Sequence, residues 1–147
     1  MTTLANDEAI VWLSLDGLIE TGQPVRRHAY TRITDAQIAA ATPLSSTKLQ
    51  HPWEASVNAA FASGLTEAEI DITIHAPRIA GFAQLILSGI ALAPIDIEFG
   101  ESIYINDGNH RLRAYLYAGY KTFPVLPGGY MDLAALAERE TRRLQNA

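Results

Sequence analysis

The alternation of apolar and polar positions divides the chain into short strands and helices. Ala9 to Leu15, with Ile10, Val11, Trp12 and Leu13 in its middle, predicts a first strand. Thr34-Asp35-Ala36-Gln37 has capping-box spacing and starts a helix to about Ala41. Pro52 suits the first turn of a helix carrying Trp53, Val57, Ala60 and Phe61 to Gly64, read as facing the core; Ser45 to Lys48 before it reads as a linker. Thr66 and Glu69 repeat the capping-box spacing, yet Ile70, Ile72 and Ile74 alternate with polar residues, so a short helical turn passing into an extended stretch is expected. Pro77 opens a helix with Ile79, Phe82, Leu85 and Ile86 on one face, capped by Gly89.

The densest information lies from Ser102 to Val125. Ile95, Ile97 and Phe99 alternate with Asp96 and Glu98, and Gly100-Glu101 turns that strand back into a second one over Ser102 to Asn106, making a hairpin. Asp107-Gly108 breaks the second strand, Asn109 reads as a helix N-cap, and Leu112, Tyr115 and Leu116 follow at helical spacing to Gly119. Tyr120 to Val125 is extended again and stops at a Pro127-Gly128-Gly129 turn, after which Asp132 caps a last amphipathic helix. The expected architecture is α+β, a small mixed β-sheet flanked by helices, in one domain over 1–147 with an N-terminal helical elaboration at about 34–64.

Composition narrows the classes. A chain of 147 residues can bury a sizeable core without disulfide or metal. A formal charge of −5 argues against strong duplex binding, which rests on Lys and Arg neutralising phosphates, although a local basic patch would escape that argument. The absence of cysteine removes thiol chemistry and Cys-ligated zinc. No segment approaches a membrane span and the polar start is unlike a secretory signal, so a cytoplasmic protein is expected, with no membrane partner.

Candidate chemistry concentrates where strand, glycine and helix meet. Gly108, Asn109, His110 and Arg111 lie in a first helical turn, where unpaired N–H groups and about half a positive charge attract an anion. His110, Arg111 and Arg113 add side-chain donors, the arginines as forks for phosphate oxygens. Asp96, Glu98, Glu101 and Asp107 cluster in sequence, and any two that face the site could hold Mg2+, Asp107 with Glu98 first among them, although solvated hairpin carboxylates are the commoner outcome. Arg78 lies in the first turn of the helix opened by Pro77, where the dipole disfavours a cation unless an anion or carboxylate is near, and is equally readable as a surface residue paired with Asp71 or Glu69. Arg26, Arg27 and His28 form a second basic spot, better read as a solvated loop than as a phosphate contact.

The run Gly108-Asn109-His110-Arg111-Leu112-Arg113-Ala114 resembles the signature of the ParB/sulfiredoxin superfamily. ParB proteins carry GERRxRA, matched at Gly108, Arg111, Arg113 and Ala114; sulfiredoxins carry GCHR, matched at Gly108, His110 and Arg111, with Asn109 at the cysteine position. The resemblance spans 77–125 and implies a ParB/sulfiredoxin-like fold whose signature turn binds nucleotide phosphates, with Arg78 and His75 as second-tier candidates because the family's equivalent helix points its N-terminus at those phosphates. Resemblance to kinase and ATPase members would have Arg111 and His110 stabilise phosphoryl charge while Asp107 orients or deprotonates the acceptor. The stretch beyond it is too short for the helix-turn-helix and dimerisation regions of chromosome-partitioning relatives, so a stand-alone domain is expected. Three functions are then open: an ATP- or CTP-dependent NTPase or small-molecule phosphotransferase, with Mg2+ as a possible cofactor; a ParB-like metal-dependent nuclease, disfavoured by the acidic balance; or a nucleotide-sensing, protein-interacting module without turnover.

Overall fold

The computed structural model describes residues 10–13, 30–99 and 103–129. The basic spot at Arg26 to His28, the hairpin tip at Gly100-Glu101 and the helix expected after Asp132 lie outside the described residues. In chain order the elements are β1 (Val11–Leu13), α1 (Asp35–Ala40), α2 (Ser46–Leu49), α3 (Glu54–Ala62), α4 (Glu67–Ile70), a π-helical turn (Asp71–His75), α5 (Ala76–Leu87), β2 (Ile95–Phe99), β3 (Ile103–Asp107), α6 (Asn109–Tyr117) and β4 (Phe123–Gly129). The four strands form one mixed sheet in the order β1-β4-β2-β3. β2 pairs antiparallel with β3, β4 runs parallel to β2, and β1 closes the other edge antiparallel to β4.

The alternating isoleucines do what their period demands. Ile95 and Ile97 of β2 and Phe123 and Val125 of β4 are fully buried, joined in one core by Ile79, Ala80, Ala83 and Ile86 of α5 and Leu112, Ala114 and Tyr115 of α6. The α5 helix packs on α6. Gly81 lets the chain before α2 cross α5 closely: a Cβ there would stand 2.6 Å from the Leu44 carbonyl oxygen.

Several local expectations hold. Both capping boxes form: Thr34 with Gln37 and Thr66 with Glu69. Pro77 sits in the first turn of α5.

Others are corrected. Ser45 caps a short helix over the expected linker, because its hydroxyl accepts from the Lys48 amide. Ile70 to Ile74 are not extended: the helix begun at Thr66 continues through the π-turn into α5. Its i→i+5 pattern shows in the Ala76 N–H donating to the Asp71 carbonyl. Pro127 to Gly129 continue β4 rather than ending it, since they pair with Ile97 to Phe99 of β2. Finally, α3 has no buried residue, and its Phe61 is 53% exposed. Trp53 and Val57, half-buried, face a cleft instead of the core.

Candidate functional site

The link from β3 to α6 is set by one glycine. Gly108 has φ of 110°, a left-handed conformation costly for other residues, and a Cβ there would lie 3.1 Å from both the Arg111 guanidinium and Ile95 Cγ1. Gly108, rather than Asn109, is therefore the N-cap, and no side chain caps α6. Just upstream, the β2–β3 register slips: Ile97 faces Ile105 but Asp96 faces Asp107, which leaves Asn106 as an extra residue. Such bulges re-aim a strand end, here toward the start of α6.

This start opens into a cleft of about 560 Å³, a volume suited to a cofactor-sized molecule. Asp107, Gly108, Asn109, His110 and Arg111 line one side. Arg78 and Phe82 of α5, Trp53 and Glu54 at the start of α3, and Leu92, Ala93, Pro94 and Asp96 before and in β2 complete it. Arg111 is buried; its Nη1 donates to the Ala93 and Pro94 carbonyls at 2.6 and 3.2 Å, and its Nη2 pairs with Asp107 at 3.2 Å. Arg78 donates to the Leu49 carbonyl at 3.0 Å and lies over the Phe82 ring, while its Nε is buried without a partner among the described residues. Burial pushes the Arg78 guanidinium below its ordinary value, with Glu54 and Asp107 opposing that shift. The expected pairing of Arg78 with Asp71 or Glu69 does not occur: Asp71 takes a bidentate contact from Arg32.

Two expected site residues are placed elsewhere. The Arg113 guanidinium donates to the Ile33 carbonyl and to Asp35 at 2.7 Å, tying α6 to the start of α1. At 3.6 residues per turn, positions two apart on a helix lie on nearly opposite faces, so Arg113 and Arg111 point in different directions. Glu98 is exposed beside Tyr104 in the register, whereas Asp96 is the carboxylate that faces Asp107. Among the described residues no three His, Cys, Asp or Glu side chains gather as a metal cage.

His110 faces inward. It is 4% exposed, and its Nε2 lies 2.8 Å from Nδ1 of His75, itself buried at the end of the π-turn. Tyr30 stacks on the His75 ring at 4.5 Å and lies 4.6 Å from the His110 ring, while Trp53 meets both edge-on. Burial holds both imidazoles neutral, pushing His75 down to about 4 and His110 further. One ring must then donate to the other. Tyr30 and Trp53 were missed as site residues; Tyr30 carries no local pattern, and Trp53 fits a core stripe equally well.

Among the described residues no helix is long and apolar enough to cross a membrane. No family model matches the chain, and neither a curated protein nor a solved structure matches it.

Proposed function

We propose that the cleft at Gly108 holds the phosphates of a nucleoside triphosphate, ATP or CTP, and that the protein is an NTPase or small-molecule phosphotransferase of ParB/sulfiredoxin-like fold. The observation that carries this reading is the helix start itself: the left-handed Gly108 leaves the first turn of α6 without a side-chain cap, facing a cleft that also contains Arg78 and Arg111. The resemblance of Gly108 to Ala114 to the superfamily signature points to the same turn.

The charges in the cleft refine the ligand. Glu54, Asp96 and Asp107 outnumber Arg78 and Arg111 there. A bare polyanion would meet that excess unfavourably, whereas a magnesium–nucleotide would meet it well, since Mg2+ takes one or two carboxylates together with phosphate oxygens. Asp96 and Asp107, facing each other across the hairpin, are the residues to hold it, in place of the Glu98–Asp107 pair. Asp107 remains the candidate to orient an attacking hydroxyl or water, being 79% exposed at the side chain.

One observation favours the alternative of a nucleotide sensor without turnover. His110, expected to act on the phosphoryl group, is hydrogen-bonded to His75 and held neutral, so it offers the cleft no cation. A thermal-shift titration with ATP, CTP, GTP and ADP, each with and without Mg2+, separates the cases. A ligand at a hundredfold excess over its dissociation constant stabilises the fold by about 2.7 kcal/mol. Stabilisation with Mg2+ and conversion of the triphosphate to the nucleoside diphosphate supports the enzyme, and stabilisation without product supports the sensor. No stabilisation by any nucleotide refutes both.

A further inference from the structure

Behind the Tyr30–His75–His110 cluster lies a second cleft, of about 540 Å³, whose lining includes Tyr30, Arg32, Trp53, Phe61, Asp71 and His75. Four of its lining residues, Tyr30, Trp53, Phe61 and His75, carry aromatic rings. Tyr30 is held at φ of 48°, a left-handed conformation unusual for a bulky residue, and such outliers gather where a site demands them. Phe61, half exposed on α3, turns toward this cleft rather than the core. An aromatic lining of this kind already accepts one cation, the Arg32 guanidinium, 5.2 Å from the Tyr30 ring centre.

The charges at the cleft select the sign of a ligand. Asp71 accepts from Arg32 Nε and Nη2 at 2.8 and 2.9 Å, and Glu67 stands 3.5 Å from the same guanidinium. Among the described residues one cation thus faces two carboxylates, so an ammonium finds there a surplus of negative charge that an anion would meet unfavourably. Asn109, shared with the first cleft, adds a buried Oδ1 that has no hydrogen-bond donor among the described residues. Its soft terminal torsion lets that oxygen turn toward a ligand N–H. We propose that this second cleft binds a small organic amine with a flat apolar body, the ammonium lying against the acidic rim and the body between Trp53 and Phe61.

This inference stands apart from the nucleotide reading, and its test uses no nucleotide. Calorimetric titration of the protein at neutral pH with 2-phenylethylamine, with uncharged 2-phenylethanol and with anionic 3-phenylpropionate compares the three charges on one body. The amine is expected to saturate and to bind about tenfold more tightly than the carboxylate, the order expected of a cation at a partly desolvated aromatic face. Phe61→Ala and Glu67→Gln, both at exposed positions, should each weaken the amine several-fold with the unfolding midpoint nearly unchanged. Asp107→Asn, in the other cleft, should leave it unaltered. No saturable binding of the amine, equal or tighter binding of the carboxylate, or amine affinity indifferent to both Phe61→Ala and Glu67→Gln overturns the proposal.

Discussion

Gly108 is the residue on which the turn depends, and two costs add when it is changed. An alanine would have to hold φ of 110° and to push its Cβ against Arg111 and Ile95. The backbone term alone is about 1–2 kcal/mol, so Gly108→Ala is expected to lower the urea midpoint by at least that equivalent, whereas Gly119→Ala, with open space around the site, should cost only the backbone term. Leu112→Ala should cost about 2–5 kcal/mol, since Leu112 is fully buried; Leu116, only half-buried, should cost less. The histidine pair makes stability depend on pH in a definite direction. His75 titrates near 6.5 when unfolded and about 4 when folded, and His110 lower still, so the unfolded chain binds more protons between these values. Stability from the pair is complete above 6.5 and falls as pH drops toward 4. Denaturant midpoints measured across that range should decline for the wild type and more shallowly for His75→Gln, and equal slopes would assign the acid sensitivity elsewhere.

The elements show which features a sequence makes legible. Capping boxes at Thr34 and Thr66 are contained within four residues and were readable as such; so were the β2 and β3 alternation and the glycine that closes α6. The π-turn was not. Its polar residues Asp71 and His75 are buried and its Ile72 is exposed, the reverse of what burial by hydrophobicity anticipates. That inversion is stabilised by Arg32 and His110, partners 39 and 35 residues away, which no local window reveals. For the same reason the glycine turn into α6 was legible, while the aromatic neighbours of His110 were not. The extra residue of the π-turn also gives a prediction. Deleting Thr73 should restore regular helix and rotate Asp71 relative to His75 by about a third of a turn, breaking either the Arg32 ion pair or the histidine contact. Its destabilisation should therefore clearly exceed that of Thr73→Ala, which loses only the hydroxyl's bond to the Glu69 carbonyl, worth about 0.5–1.5 kcal/mol.

At the scale of the molecule, a mixed sheet and the α5–α6 pair hold two clefts against a shared wall of Trp53 and Asn109. The overall charge of −5 and the carboxylates in the first cleft oppose contact with a nucleic-acid backbone, so purified protein with Mg2+ or Mn2+ is expected not to nick supercoiled plasmid. Nicking that Asp107→Asn abolishes would restore the nuclease reading. The central claim concerns Arg111, whose fork now bonds the Ala93 and Pro94 carbonyls and Asp107 while lining the cleft. Lysine keeps the charge at that position and loses the fork. The most direct test is the dissociation constant of magnesium–ATP and magnesium–CTP for the wild type and for Arg111→Lys, measured on protein shown by denaturation to be folded in both forms. Loss of one of the fork's two charge-assisted bonds, about 1.5 kcal/mol, predicts affinity weakened about tenfold in the folded variant. Unchanged nucleotide affinity in a folded but destabilised Arg111→Lys protein would contradict the claim and leave Arg111 as a tie between α6 and the segment before β2.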